Sequence, residues 1–401
     1  MKNLKKDFPW FEVNKGITYL DSGATSLKPQ CVIDFVNKYM IEESYNAHNT
    51  DSKYTYSTTK IIYETKEKLA NYLGTKAENI IFTPGATYSI NMVSQGIKHI
   101  LNEGDEILLN TLEHASNLLP WFELAKEKNL IIKYIENKDI FLSEDEILSS
   151  ISPKTRLISF ANGTNLIGCW LNAEEISIKI KEKNPNTIIC IDGTQYVPLN
   201  KMDLMNSRID FLACSAHKMC APTGIGLLYL NDEMKKHLKP TIYGGGMNKS
   251  IKKDSYLQMD SLAKYEAGTL NILGIYGWNA ALDYLNNLDF KEVKNHLFEI
   301  KKYLDKEINK IPGFSVINDN VNSYITIFRH ETLFSQDLAG YLGQNKIIVR
   351  SGFSCAKLAH YNTKYDQFVR ISLYVYSDYE DVDKLIEVLK KYKKGDEINW
   401  V

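Results

Sequence analysis

The sequence predicts an α/β fold, a mostly parallel sheet covered by helices on both faces, with a smaller α+β domain at the C-terminal end. Three observations carry this. Short apolar runs recur through the first 230 residues, and amphipathic stretches separate most of them. Those runs are nearly continuous rather than alternating, which suits strands buried on both faces. After about residue 270 long helical patterns take over and lead to isolated strands.

The predicted strands are "NIIF" (79–82), "EILLN" (106–110), "RLISF" (156–160), "TIICI" (187–191), "DFLAC" (210–214) and "GLLYL" (226–230). A stretch such as "TYSINMVSQGIKHIL" (87–101) has helical spacing. Helical patterns cover 271–311, strands follow at "SYITIF" (323–328) and "KIIVR" (346–350), and "DYEDVDKLIEVLKKYKK" (378–394) reads as a helix. The lysines of that last helix form a solvated face. With 401 residues the chain exceeds what one core usually holds, so two domains are expected: 20–285, and 1–19 joined to 286–401.

Composition narrows the function. Apolar residues make up 44% and charged residues 24%, and the net charge of −1 argues against a broad surface for nucleic acid or anionic membrane. The start "MKNLKKDFPWFEV" has no apolar run and carries Asp7 and Glu12, unlike a secretory or transit segment. No apolar run approaches the roughly 20 residues needed to span a bilayer. Cys31, Cys169, Cys190, Cys214, Cys220 and Cys355 form no CxxC pair and no cluster with histidine. A reduced, cytoplasmic protein without a metal site is expected.

In such sheets ligands sit beyond the carboxyl ends of the strands, and the loops there are informative. "TPGATYS" (83–89) puts a glycine turn at a helix start, where backbone N–H groups attract a phosphate. "TLEHASNLLPW" places His114 at a loop mouth, and "ANGTNLIG" offers Asn165. "DGTQ" places Asp192 at the very end of an apolar strand, with Gln195 three residues on. A carboxylate there requires a cationic or donor partner. "SAHK" supplies Ser215, His217 and Lys218. A phosphate turn, a flat imidazole, a buried carboxylate and a lysine together suit pyridoxal 5′-phosphate: an amine for its aldehyde, an acid for its pyridine nitrogen, a ring to stack on it.

The motifs "YLDSGATSLKP" (19–29), "EHASNLLPW" (113–121), "DGTQ" (192–195), "SAHKMCAPTGIGLLY" (215–229), "YEAGTLNI" (265–272), "VRSGFSCAKL" (349–358) and "VRISLYVYSDYEDVDKL" (369–385) resemble, in order and spacing, the class V aminotransferases of PLP fold-type I. Among these the chain is most similar to SUF-type cysteine desulfurases and selenocysteine lyases. The resemblance implies that Lys218 is tied covalently to the cofactor, Asp192 pairs with its pyridinium and His114 stacks on its ring. It implies Gln195 and Asn165 at the ring hydroxyl side, and Ala86, Thr87, Ser215 and His217 around the phosphate. Thr269, beside Gly268, would reach the phosphate of a neighbouring subunit, giving a homodimer with shared sites. Arg370 would clamp the substrate carboxylate, near Asn165. Cys355 would take the sulfur of L-cysteine as a persulfide, leaving alanine, and pass it to an acceptor for iron–sulfur clusters or related sulfur mobilisation. Lys357, with Arg350 also flanking, is expected to lower the thiol pKa. An aminotransferase, a selenocysteine lyase or a C–S lyase would need Lys218, Asp192 and Arg370 but not depend on Cys355.

Three departures from the family pattern stand out. "NAHNTDSKYTYS" keeps His48 but has Asn49 where an arginine is common. "PGATYS" has Ala86 and Tyr88 where threonine and an acid are usual, and Phe353 stands where histidine is common in the cysteine loop. These changes bear on the substrate and on one phosphate hydroxyl, not on the pyridoxal chemistry.

Overall fold

The computed structural model describes residues 4–47, 51–137, 139–319, 321–363, 365 and 367–393. A short helix α1 (Trp10–Val13) leads into β1 (Thr18–Tyr19), then α2 (Gln30–Lys38) and α3 (Lys53–Leu73). The Ser52 hydroxyl caps α3 by accepting from the Thr55 N–H, and Gly74 ends it in the left-handed region at φ 59°.

Seven strands then build the main sheet: β2 (Ile80–Thr83), β3 (Glu106–Leu109), β4 (Ile131–Tyr134), β5 (Thr155–Ala161), β6 (Ile188–Asp192), β7 (Phe211–Ser215) and β8 (Gly226–Leu230). Their spatial order is β2-β8-β7-β6-β5-β3-β4. β8 runs antiparallel to both neighbours and the remaining pairs are parallel. Helices α4 (Ala86–Gly96), α5 (Leu119–Lys128), α6 (Glu144–Ser150) and α7 (Ala173–Lys183) connect these strands. β5 through β8 are buried almost throughout, which is why they read as continuous apolar runs. β4 is an edge strand with exposed side chains, so "IIKY" carried no such signal.

An exposed hairpin of β9 (Asn248–Ile251) and β10 (Tyr256–Gln258) follows. The pattern over 271–311 is two helices, α8 (Ile272–Asn286) and α9 (Phe290–Asn309). The break falls at Asp289, whose carboxylate accepts from the Lys291 and Glu292 N–H groups and starts the second helix. Buried α8 runs close to the loop that follows Lys218. A Cβ at Gly277 would lie 2.4 Å from the Pro222 ring, so only glycine allows that approach.

The last part is a four-stranded antiparallel sheet of β11 (Phe314–Val316), β12 (Ile325–His330), β15 (Val369–Ser372) and β14 (Arg350–Ser351), with α10 (Ser335–Gln344) and α11 (Tyr379–Lys391). The predicted strand 346–350 divides in two. β13 (Ile347–Ile348) pairs in parallel with β1, whereas β14 pairs with β15. The N-terminal arm thus lies on the C-terminal sheet, where Lys5 also bridges Asp378 and Asp381 of the α11 capping box at 2.9 and 2.8 Å. Among the described residues no helix is long and apolar enough to cross a membrane.

Candidate active site

A cavity of about 210 Å³ opens at the carboxyl ends of β5, β6 and β7. The sheet order, with β5, β6 and β7 as neighbours, brings their trailing loops to one edge. Ala86, Thr87, His114, Asn165, Asp192, Gln195, Ser215, His217, Lys218, Cys355 and Arg370 all line it.

Lys218 sits one short turn after β7. The turn is held from outside by the N-terminal segment. The carbonyl of His217 accepts from the Ser26 N–H (3.0 Å), the Ser26 hydroxyl (2.9 Å) and the Thr25 hydroxyl (3.2 Å). The same Ser26 hydroxyl accepts from the Cys220 N–H at 2.8 Å, where Cys220 is left-handed at φ 62°. Lys218 itself makes no hydrogen bond or ion pair among the described residues. Burial pushes its amine down to about 8. Arg370 acts in the same direction and Asp192 opposes it. Since this value lies below that of an unfolded lysine, proton binding to Lys218 penalises the fold below about pH 8, and the penalty fades as pH rises toward 10.5. Labelling of Lys218 in the cofactor-free protein by a small amine-reactive reagent, followed by peptide mass mapping, is expected to rise with a midpoint near pH 8. A midpoint near that of surface lysines would contradict this account of its surroundings.

At one end of the cavity lies the start of α4. Gly85 precedes it at φ 155°, and the Ala86 N–H donates to the Ser215 hydroxyl at 2.9 Å. Gly226 lets this turn press on β7: a Cβ there would fall 2.5 Å from the Cys214 carbonyl oxygen and 2.6 Å from the Gly85 Cα. The Thr87 and Ser116 hydroxyls share a 2.6 Å hydrogen bond. His217 is kept neutral, pushed down to about 4 by burial and then by Lys218 and Lys28. This end therefore offers N–H groups, hydroxyls and neutral rings.

On the floor of the cavity is Asp192, the last residue of β6, whose carboxylate accepts from the Thr194 N–H at 3.0 Å. His114 lies across from it. Its Nδ1 accepts from the Ser116 N–H at 3.1 Å, which leaves the ring neutral with its proton on Nε2. Burial lowers the His114 pKa; Asp192 opposes this, while Lys218 and Arg370 add to it. Behind His114, fully buried Glu113 accepts from the Ala161 N–H (2.9 Å) and the Asn117 side-chain amide (2.7 Å). Burial raises the Glu113 carboxyl to about 8 against those two hydrogen bonds. It ties the His114 turn to the end of β5, a role that the sequence reading missed although Glu113 stands next to His114.

Arg370 enters from β15 and is 2% exposed. One guanidinium nitrogen donates to Asp21 Oδ1 (2.7 Å) and another to the Asn165 carbonyl (2.7 Å). Its Nε has no partner among the described residues. Asp21 belongs to the quoted motif "YLDSGATSLKP", yet nothing in its spacing pointed to Arg370, 349 residues away.

Cys355 lies on the loop after β14 and is exposed at the cavity wall. Three residues of this loop are left-handed: Gly352 (φ 74°), Ser354 (φ 48°) and Cys355 (φ 68°). Two non-glycine residues in that region store strain that the surroundings must hold. Two hydrogen bonds do so. Ser354 O accepts from the Asn165 amide at 2.5 Å, and Cys355 O accepts from the Ala115 N–H at 3.0 Å. Asn165 and the His114 turn therefore pin the loop that carries the thiol.

The other residues singled out in the sequence are placed as follows. Lys357 is exposed and does not line the cavity; Arg350 does, and it makes no ion pair among the described residues. Gln195 donates to the Gly23 carbonyl (2.9 Å) from the cavity wall. Thr269 is exposed and does not line the cavity of its own chain. Tyr88 packs with the core under α4, and Phe353 packs edge-on against Phe368 (5.8 Å). His48 and Asn49 lie outside the described residues.

The donor set fits pyridoxal 5′-phosphate. Asn165 Oδ1 and Thr194 Oγ1 are buried at the cavity without hydrogen-bond partners among the described residues. Lys218 presents an unbonded amine, and the start of α4 supplies N–H groups for a phosphate.

Comparison with known proteins agrees with this geometry. The model of the family described as aminotransferase class-V matches residues 18–385. A probable cysteine desulfurase of Ureaplasma parvum is 42% identical over 401 residues, covering all of both chains. The apo structure of a cysteine desulfurase from Thermococcus onnurineus superposes with a TM-score of 0.91 at 28% identity, covering 97% of each chain. The cysteine desulfurase CsdA of Escherichia coli gives 0.89 at 26%, again over 97% of each chain. The chain belongs to the class V aminotransferase family.

Proposed function

We propose that this member of the class V aminotransferases is a cysteine desulfurase that uses pyridoxal 5′-phosphate. The observation that carries the reading is Cys355, held at the wall of the cavity that also contains Lys218, Asp192 and Arg370. The relatives named above as cysteine desulfurases support it over the whole chain length.

Pyridoxal 5′-phosphate, when bound, supplies an aldehyde for an amine and a pyridinium ring that withdraws electrons from the Cα of an amino acid. Asp192 holds the proton on that ring nitrogen, and His114, neutral, offers a flat face for stacking. Ala86, Thr87, Ser215 and His217 receive the phosphate. Asn165 and Gln195 stand at the ring hydroxyl side.

L-Cysteine enters with its carboxylate at Arg370, which lines the cavity. Lys218 Nζ takes the Cα proton, which suits an amine held near 8 rather than 10.5. The Cys355 thiolate attacks the substrate sulfur. A Cys355 S–S bond forms as the Cβ–S bond breaks, and Cβ and Cα are each left protonated. The balance is one thiol and one L-cysteine giving one persulfide and one L-alanine. The left-handed backbone at 354 and 355, with its two clamps, holds the sulfur at the cavity wall. Arg350 is a cation for the developing thiolate, since it lines the same cavity and makes no ion pair among the described residues.

The persulfide then passes to an acceptor thiol, in iron–sulfur cluster assembly or related sulfur mobilisation, in a cytoplasmic setting. The working form is a homodimer in which the exposed segment around Thr269 serves the neighbouring site. Ile242 and Tyr243, 49% and 61% exposed, lie in the stretch leading to it.

The reading is tested by incubating the purified protein with L-cysteine and a reductant, then measuring alanine and sulfide. The wild type is expected to form both in equal amounts. Cys355→Ala is expected to lose both. Undiminished turnover in that variant, or pyruvate as product, would point to chemistry that bypasses the cysteine.

A further inference from the structure

Lys218 also borders a second, smaller cavity of about 40 Å³, lined by Ser22, Trp170, Gln195, Tyr324 and Ser372 among others. It shares Lys218 and Gln195 with the main cavity. It shares Trp170 with an open groove of about 850 Å³, which is also lined by Tyr196, Lys294 and Phe298. Lys218 thus stands between a front chamber and a rear one, and Trp170 stands between the rear chamber and the outside.

Several polar groups face the rear chamber beside the apolar Pro198, Leu199, Ile325 and Leu373. Tyr324 is 4% exposed, and its hydroxyl is buried with no hydrogen-bond partner among the described residues. Its ring is held edge-on against Trp170 (4.6 Å, 87°) and beside Phe298 (4.9 Å), so it cannot turn its hydroxyl elsewhere without breaking that packing. The Ser22 hydroxyl shares a hydrogen bond with Tyr376 (2.8 Å), and the Ser372 hydroxyl accepts from the Gly23 N–H (2.7 Å). Each retains capacity for another bond. The Lys218 amine has no partner among the described residues. Buried hydroxyls and amines in proteins are satisfied by something. A chamber needs only about 10–15 Å³ to hold a water, with two to four polar partners. An amino acid does not fit in 40 Å³.

We propose that this rear chamber is a water site, and that water held there by Tyr324 exchanges protons between Lys218 and the outer groove. The proton route rests on the proposed role of Lys218 as proton acceptor; the water site does not. With substrate in the front chamber, the rear chamber gives Lys218 a second side open to water. A proton taken up by Nζ passes to the water, which hands one on past Trp170. The reverse path returns one, so no net charge accumulates.

Two measurements test this. In a high-resolution crystal structure of the cofactor-free protein, ordered water is expected within about 3.2 Å of Tyr324 Oη. A dry chamber overturns the site. Separately, the loaded enzyme is incubated with L-alanine in D₂O, and exchange of the Cα hydrogen is followed by NMR. Tyr324→Phe keeps the ring and its packing; it is expected to slow exchange by about tenfold while alanine affinity stays unchanged. Exchange within about twofold of the wild type overturns the relay. If Lys218→Ala exchanges as fast as the wild type, the role of Lys218 fails and the relay with it, while the crystal measurement still decides the water site.

Discussion

Lys218→Ala is expected to lower turnover of L-cysteine by at least about a thousandfold and to abolish the cofactor's stable yellow colour in the protein. No other side chain lining the cavity can replace it. A guanidinium group is not a proton acceptor, which sets aside the two arginines of the cavity. His114 and His217 are neutral, but His217 lies at the phosphate end and His114 is fixed through Nδ1 to Ser116. A catalytic loss must be distinguished from collapse of the fold, and the lysine's own titration does this. Burial and Arg370 hold the Lys218 amine down at about 8, so at neutral pH the wild type keeps an unfavourable buried charge. The alanine variant lacks that charge. It is therefore expected to be at least as stable as the wild type to urea at about pH 7, with the difference shrinking by about pH 10. A variant that is inactive but no less stable supports the chemical role. One that turns over L-cysteine within about tenfold of the wild type removes Lys218 from the mechanism.

Much of this site is legible in one dimension because α/β topology does the assembling. Asp192 and Ser215 end β6 and β7, and Lys218 follows three residues later, so reading what comes after each apolar run finds them. The continuous burial of β5 to β8 makes those runs conspicuous. The edge strand β4 and the hairpin β9–β10 lack that burial and left no pattern. Contacts across the chain were illegible for another reason. Asp21 meets Arg370 only because β1 pairs with β13 and Asp21 itself bridges to Ser372, and Tyr324 reaches Lys218's rear chamber only through the second sheet. Sequence spacing holds no information on such meetings. Spacing alone did not separate the two cations that flank Cys355: Arg350 lines the cavity, whereas Lys357 is exposed and does not.

Asp21→Ala is expected to destabilise the protein by about 3–5 kcal/mol, the usual consequence of removing one partner from a buried ion pair. The Arg370 side chain is 2% exposed and that of Asp21 11%, and the pair closes at 2.7 Å. Burial pulls the Arg370 pKa down and Asp21 is the chief influence opposing that shift, but a guanidinium does not give up its proton in a protein, so the variant is left with a buried, unpaired charge. The Asn165 carbonyl remains as a partner, but it is uncharged. Asp21→Asn keeps an acceptor oxygen and is expected to lose less. The two variants therefore separate charge from hydrogen bonding. A second consequence follows by linkage. An anion that binds Arg370 in the folded state stabilises that state, and it gains more where the guanidinium has no counter-charge. L-Alanine, carrying the product's carboxylate, is thus expected to raise the unfolding midpoint of Asp21→Ala by more than that of the wild type. On the proposed role of Arg370, the substrate carboxylate of the intact protein would meet an arginine already paired with Asp21, which would let it bind and leave. Urea unfolding with and without L-alanine decides the matter. If Asp21→Ala unfolds within about 1 kcal/mol of the wild type, the pair behaves as an exposed one, and Arg370 is not held as described.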